Sequence, residues 1–289
     1  MKTTPLREAF IEVLTLKGYS TRTIETYVSV VAQLAGHYHR SPAELSAEEV
    51  RTYLYHLHKL NRSTSTLNVV VSGLRCFYDE VLQRSEICDK RMLPRPKNAI
   101  RRPQAYSVEE VHRLLEYGFT SPKYRVFFMT LYGAGLRLNE ACHLKVEHLD
   151  VGRMLVRVER GKGRKDRYTI LPQHLLEELR RYWRMYRPRY WLFPSTRDER
   201  KPITDRSVQL AFKKALRRAG LPCKGGPHTL RHSFATHLTE GRTPMHVLKE
   251  LMGHTSVSTT AGYLHISRQT MEHIQSPLDT MDWTAPPAL

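Results

Sequence analysis

Arg137, Lys162, His228, Arg231, His254 and Tyr263 are the side chains whose types and local settings offer chemistry. Arg137 lies in Gly135-Leu136-Arg137-Leu138-Asn139-Glu140, directly after a strongly apolar stretch. Its guanidinium can pair with Glu140 on a helix surface, or be held by Glu140 so that its fork faces a phosphate. Lys162 sits between two glycines in Gly161-Lys162-Gly163-Arg164-Lys165-Asp166-Arg167. That stretch is either a solvated basic turn or a hairpin tip that carries a lysine into a groove. The GxxxxGK[ST] spacing of a nucleotide-phosphate loop is absent. His228 and His232 stand four apart, but Thr229 follows His228 where a zinc-protease helix needs Glu, so no metal is expected. His228 and Arg231 instead share a helix face and can converge on one anion. His254, in Leu251-Met252-Gly253-His254, reads alone as a residue at a helix end. Tyr263 reads alone as one of 15 tyrosines, most of them packing residues.

The elements that must position these groups follow from periodicity. Leu6, Phe10, Val13 and Leu14 keep helical spacing, as do Ile24, Tyr27, Val28, Val31 and Leu34. Ser46 with Glu49 forms a capping box ahead of Val50, Tyr53, Leu54 and Leu57. The fourth stripe runs Leu67, Val70, Val71, Leu74, Phe77, Tyr78 and Val81. Four such helices can close a bundle over residues 1–85. From 86 to 103 the period fades among Pro94, Pro96 and Pro103, which predicts an extended, solvated linker. A second domain over 104–275 opens with the capping box Ser107 to Glu110. Its one β signal is Met154–Val158 and Tyr168–Leu171 around the glycine turn, with helices near Leu175–Trp183, Val208–Leu216, Thr229–Leu238 and Val247–Leu251. The fold class is mainly α with a small β-sheet, and 276–289 is a C-terminal tail of which Asp279 to Leu289 is expected to be loose.

With 289 residues and 40% hydrophobic composition, the chain can bury two cores. Its 46 Lys+Arg against 28 Asp+Glu give a formal net charge of +18, which points to a polyanion and first to nucleic acid. No run of about 18 apolar residues could span a bilayer, and Met1 to Phe10 does not read as a signal peptide. Cys76, Cys88, Cys142 and Cys223 lie far apart without a CxxC pair, as suits a reducing compartment. A cytoplasmic location is expected.

Taken together and in order, these residues resemble the active-site signature of the tyrosine recombinases, or phage-integrase family. GLRLNE resembles the family's first arginine box, GKG its β-hairpin lysine, HTLRHSFATHL its His-x-x-Arg box, and LMGHTSVSTTAGY the box that ends in the nucleophile. The resemblance covers nearly the whole chain. It implies an N-terminal four-helix core-binding domain and an α+β catalytic domain. It also implies that Tyr263 attacks a DNA phosphate to form a 3′-phosphotyrosine and release a 5′-hydroxyl. Arg137 and Arg231 would grip the non-bridging oxygens and His254 would donate a further hydrogen bond. His228 would take the Tyr263 proton, Lys162 would protonate the departing 5′-oxygen, and Glu140 would orient the arginines. No cofactor or metal is required, because the covalent link conserves the phosphodiester bond energy and cations do the metal's work.

DNA contacts are expected from Lys90, Arg91, Arg95, Lys97, Arg101 and Arg102 of the linker and from Arg164 and Lys165 of the turn. A further stripe, Arg180, Arg181, Arg184, Arg187 and Arg189, alternates with Tyr182, Trp183, Tyr186, Tyr190 and Trp191. Half of it is expected to be core aromatics with arginines reaching to solvent. The resemblance further implies inverted-repeat sites in duplex DNA, a homodimer on each site and a homotetramer in synapsis. The segment Ser267 to Ile274 would dock on a neighbour. With no room before Leu6 for an arm-binding domain, the compact type is expected, and because the tail after Tyr263 does not resemble a resolvase's partner-contact tail, a mobile-element integrase is the preferred subtype. A chromosome-dimer resolvase, type IB topoisomerase-like relaxation, and a DNA-binding accessory protein are the alternatives.

Overall fold

The computed structural model describes residues 4–96, 104–159, 166–253 and 275–283. The chain divides into two compact units, Met1–Arg101 and Arg102–Leu289.

The first unit contains α1 (Pro5–Leu16), α2 (Thr21–Tyr38), α3 (Ala47–Lys59) and α4 (Thr64–Glu80), with a 3-10 turn at Pro42–Glu44. Each start is chemically marked. Pro5 occupies the first turn of α1, while Ser20, Ser46 and Ser63 cap the other three, and Glu49 completes the expected capping box at Ser46. The apolar stripes meet in one core that includes Phe10, Leu14, Leu34, Val71, Leu74 and Phe77. Tyr78 is wholly buried, and its hydroxyl donates to Pro42 O at 2.9 Å.

The expected linker begins too early. Ile87 and Leu93 are fully buried in this same core. Arg75 Nη2 donates to Leu93 O at 2.7 Å, and Arg84 Nη1 donates to Ala43 O at 3.0 Å and Leu45 O at 2.7 Å. Two apolar side chains separated by charged residues carry no helical period, yet they suffice to hold a turn-rich segment against the bundle. Lys90, Arg91 and Arg95 point to solvent around them.

The second unit contains α5 (Val108–Tyr117), α6 (Pro122–Gly133), α7 (Leu138–Cys142), β1 (Leu149–Asp150), β2 (Leu155–Val158), β3 (Arg167–Ile170), α8 (Gln173–Tyr186), α9 (Asp205–Arg218), α10 (His228–Glu240) and α11 (Met245–Met252). The strands form an antiparallel sheet in the order β1-β2-β3, with Leu155 opposite Ile170 and Val158 opposite Arg167. Val156 and Val158 face the core while Leu155 and Arg157 are half-exposed, the alternation a one-sided sheet requires. Helix α6 is apolar nearly all round and buried from Val126 to Gly133, so it runs through the centre of this unit. Phe127, Phe128, Phe193 and Phe212 pack ring to ring beside it.

The C-terminal residues also depart from expectation. Ser276, Leu278 and Met281 are buried, and Ser276 Oγ donates to Gly133 O at 3.0 Å. The Asp279 carboxylate accepts from the backbone N–H groups of Gln173 and His174 at 3.1 and 2.9 Å, and the Trp283 ring stacks on His174 at 4.2 Å. A Pro-rich, acidic stretch reads as solvated by composition, but its few apolar side chains find a site on the folded unit.

Candidate active site

The Arg-x-x-Glu spacing of the first arginine box is a helix-start geometry. Gly135 takes φ +60° after α6, with the Phe234 ring lying where a Cβ would project. The chain then turns so that Arg137 is the N-cap of α7 and Glu140 its third residue. Glu140 Oε2 accepts from Arg137 N at 2.8 Å, and Oε1 accepts from Arg137 Nη1 at 2.8 Å. One carboxylate therefore satisfies an orphan helix N–H and orients the guanidinium beside it.

Arg231 projects from α10 and is 5% exposed. It donates to Gly135 O and Met252 O, and its Nη1 lies 3.9 Å from Glu140 Oε2. A third arginine joins them. Arg167, the first residue of β3, grips Glu140 with both terminal nitrogens, at 2.9 and 2.8 Å. Three guanidiniums thus surround one carboxylate. Burial pushes the Glu140 pKa up, but hydrogen bonding and charge from Arg167, then from Arg137, outweigh it and hold the pKa at about 2. Burial and the like charge of Arg137 displace the Arg231 pKa downward, and Glu140 opposes this.

The same three arginines tie down the end of α11. Arg167 Nε donates to Leu251 O at 3.2 Å, Arg231 Nη2 to Met252 O, and Arg137 Nη2 to Gly253 O at 2.8 Å. Three successive carbonyls at a helix C-terminus, the negative end of its dipole, thereby meet three cations. His228 opens α10 one turn before Arg231 and reaches solvent. Partial burial, then the charges of Arg231 and His232, lower its pKa below the ordinary imidazole value. These effects favour the neutral ring, the form that can accept a proton.

Arg137, Glu140 and Arg231 are thus brought together, and His228 lies on the same helix as Arg231. Lys162, His254 and Tyr263 lie outside the described residues, as do Lys97, Arg101, Arg102, Arg164, Lys165 and the segment Ser267 to Ile274. Sequence reasoning passed over Arg167, quoting it only as the last residue of a basic turn; its signal was its position at the start of the returning strand. It also passed over the outer face of α9, where Arg206, Lys213, Lys214 and Arg217 are exposed. Of the aromatic stripe along α8 and beyond, only Tyr182 is fully buried. Trp183, Tyr186 and Tyr190 are exposed, and Arg187 lies 4.2 Å over the Trp183 ring.

Among the described residues, one group of side chains has metal-ligand proximity: Glu147, His148 and Glu159. Lys145 already pairs with both carboxylates, and Arg157 with Glu159, so the cluster is internally neutralised. A cavity of about 410 Å³ lined by Lys123, Ser195, Arg197, Arg206 and Leu210 contains none of the arginine-cluster residues.

The phage integrase family model matches residues 105–270, and the model of that family's N-terminal SAM-like domain matches residues 6–86. The chain belongs to the phage integrase family. It is 37% identical over 284 residues to a putative integrase/recombinase, y4qK, of Sinorhizobium fredii, covering 98% of this chain and 91% of that one. It is 36% identical over 274 residues to the tyrosine recombinase XerA of Thermococcus kodakarensis, covering 93% and 92%. In fold it matches a lambda integrase dimer bound to a COC′ core site, with a TM-score of 0.72 over 92% of this chain and 100% of that one at 18% identity. The protein is a tyrosine site-specific recombinase, mainly helical with a small sheet, as the motifs implied. No helix among the described residues is long and apolar enough to cross a membrane.

Proposed function

We propose that this recombinase cuts and rejoins duplex DNA at paired inverted-repeat sites through Tyr263. The phenol oxygen attacks the scissile phosphorus, forming the tyrosyl–phosphorus bond at the 3′ side and breaking the bond to the 5′-oxygen. His228 takes the phenol proton, and Lys162 supplies one to the departing 5′-oxygen. Arg137 and Arg231 hold the non-bridging oxygens, where charge grows in the transition state, with His254 adding a hydrogen bond and Glu140 orienting the pair. The observation that carries the reading is the arginine cluster. Its guanidiniums outnumber the single carboxylate among them, an arrangement short of negative charge that a phosphate would supply.

Lys90, Arg91 and Arg95 of the first unit, Lys97, Arg101 and Arg102 after them, and Arg164 and Lys165 of the turn would track backbone phosphates. The exposed cations of α9 extend that set. Assembly as a dimer on each site and a tetramer in synapsis is supported by the lambda integrase tetramer bound to a Holliday junction, which shares the fold with a TM-score of 0.70. A mobile-element role is the preferred reading and chromosome-dimer resolution the second; the likeness to the integrase/recombinase y4qK and to the tyrosine recombinase XerA supports the recombinase activity that both readings share.

The test is covalent trapping. Tagged wild type and Tyr263→Phe are expressed in cells carrying candidate element DNA, lysed in denaturant and pulled down, and attached DNA is sequenced. Adducts at discrete inverted repeats, absent from Tyr263→Phe, are expected. Scattered adducts would indicate topoisomerase-like relaxation. Equal trapping by the Phe variant would remove Tyr263 as nucleophile.

A further inference from the structure

Arg167 makes more side-chain hydrogen bonds than either other arginine of the cluster, and the proposed cleavage step gives it no task. Its side chain is 10% exposed, and its three hydrogen bonds join parts of the chain far apart in sequence. Two end on Glu140 of α7 and one on Leu251 O at the end of α11, while its own backbone begins β3. Gly253 packs against it in a left-handed conformation at φ +57°, and a Cβ there would lie 2.7 Å from Arg167 Cδ. The glycine directly before His254 is thus the residue that admits Arg167.

What Arg167 does follows from counting donors and acceptors. Glu140 has two oxygens and three guanidiniums within reach. Without Arg167, its lone pairs would face Arg137 at 2.8 Å and Arg231 at 3.9 Å alone. A buried carboxylate so placed would draw the Arg231 fork into a paired contact, using N–H groups that an incoming phosphate needs. It would also cancel a larger share of the cluster's positive charge. The structure assigns Arg167 as a positioning residue: it saturates Glu140 so that Arg137 and Arg231 keep donors for the scissile phosphate, and it fastens the end of α11 to β3. This inference rests on the recombinase reading.

Two experiments test it. In the first, full-length wild type, Arg167→Ala, Arg167→Lys, Arg231→Ala and the Arg231→Ala/Arg167→Ala pair are compared on a nicked duplex carrying the trapped site, with single-turnover adduct formation as readout. Arg167→Ala should slow cleavage about 100-fold, with affinity for the same duplex changed less than about threefold. In the Arg231→Ala background, removing Arg167 should cost no more than about threefold further, because its effect runs chiefly through the Arg231 fork that it keeps free of Glu140. Arg167→Lys keeps the charge but not the fork, and should recover less than about a tenth of the wild-type rate. Equal losses in both backgrounds would mark Arg167 as scaffold only and overturn the proposal.

The second experiment needs no cleavage. The Glu140 carboxyl is titrated by carbon NMR in the full chain without DNA, for wild type and Arg167→Lys, with tryptophan fluorescence confirming the fold. A higher Glu140 pKa in the variant is expected, and an unchanged titration overturns the proposal whatever the cleavage data. A raised pKa in a chain that forms no Tyr263-dependent adduct would support the Arg167–Glu140 clamp while sinking the phosphotyrosine reading.

Discussion

The two units bury different things. Every polar or charged side chain buried among the described residues, including Lys123, Glu178, Arg231 and His237, belongs to the second unit, whereas the first unit's core is apolar apart from tyrosine hydroxyls. The first unit is held by area removed from water, which is non-directional and tolerant of changes in detail. The second is held in addition by buried hydrogen-bonded charges, where losing one partner strands another, whereas the hydrogen-bonded arginines of the first, Arg75 and Arg84, are only half-buried. The unit that builds the arginine cluster carries the arrangement most sensitive to single substitutions.

Arg231→Ala should break the comparison hardest. It strips Gly135 O and Met252 O of a donor and removes a phosphate-gripping cation. Single-turnover cleavage should fall about 10²–10³-fold, and the second unit should lose about 1–3 kcal/mol of stability for the stranded acceptors. All three tryptophans, Trp183, Trp191 and Trp283, lie in that unit, so urea denaturation followed by tryptophan fluorescence reads it selectively. A wild-type cleavage rate would remove Arg231 from the mechanism.

Leu74→Ala is the counterpart in the first unit. Leu74 is fully buried in α4, and its truncation should cost about 2–5 kcal/mol. Far-UV circular dichroism should show an early loss of helix while the tryptophan transition stays in place. If both transitions moved together by the same amount, the two units would not be energetically separate.

Glu140 sharpens the comparison through pH. A glutamate pKa of 4.5 serves for the unfolded chain, against about 2 in the fold. A depressed folded pKa adds stability that is complete above about pH 4.5 and is lost as the pH falls toward 2, up to about 3 kcal/mol in all. The tryptophan-monitored urea midpoint should therefore drop between pH 5 and pH 3 in wild type and drop less in Glu140→Gln. Glu49 of the first unit, also lowered by its Ser46 hydrogen bonds, is exposed and screened, so no matching acid limb is expected there. An identical pH slope in Glu140→Gln and wild type would deny the carboxylate this role.

The same contrast decides what could be read from sequence. The first unit was legible because its cores follow helical period and its starts carry local caps: Leu67, Val70, Val71 and Leu74 line one face, and Ser46 with Glu49 opens α3. The contact of Arg137 with Glu140 was legible for the same reason, since a capping box is a relation between neighbours in sequence. Arg167 was not, because its partners lie 27 and 84 residues away and nothing in a basic turn singles out its last arginine. Ile87 and Leu93 were hidden by the prolines and charges around them. Trp183 and Tyr186 misled in the other direction, since aromatic residues at helical spacing suggest core, and they face solvent.

Two helix caps put that difference on a single scale. Ser46 caps α3 from the adjacent position, its Oγ accepting from Glu49 N at 3.2 Å. Helix α8 has Pro172 at its N-cap, which offers no side-chain acceptor, and Asp279 does the work from 106 residues away, accepting from Gln173 N and His174 N. Each truncation to alanine should cost about 1 kcal/mol, but by different routes. Ser46→Ala removes a cap that the segment carries with it in any state. Asp279→Ala removes one that exists only when the C-terminal residues are docked, so it should also loosen Leu278 and Trp283. Hydrogen exchange separates the two: Ser46→Ala should speed exchange in the first turn of α3 alone, and Asp279→Ala should speed it at both Gln173–His174 and Leu278–Trp283. If the Asp279 variant changed only the first turn of α8, the buried apolar contacts of Leu278 and Met281 would be holding the C-terminal residues without help from the cap.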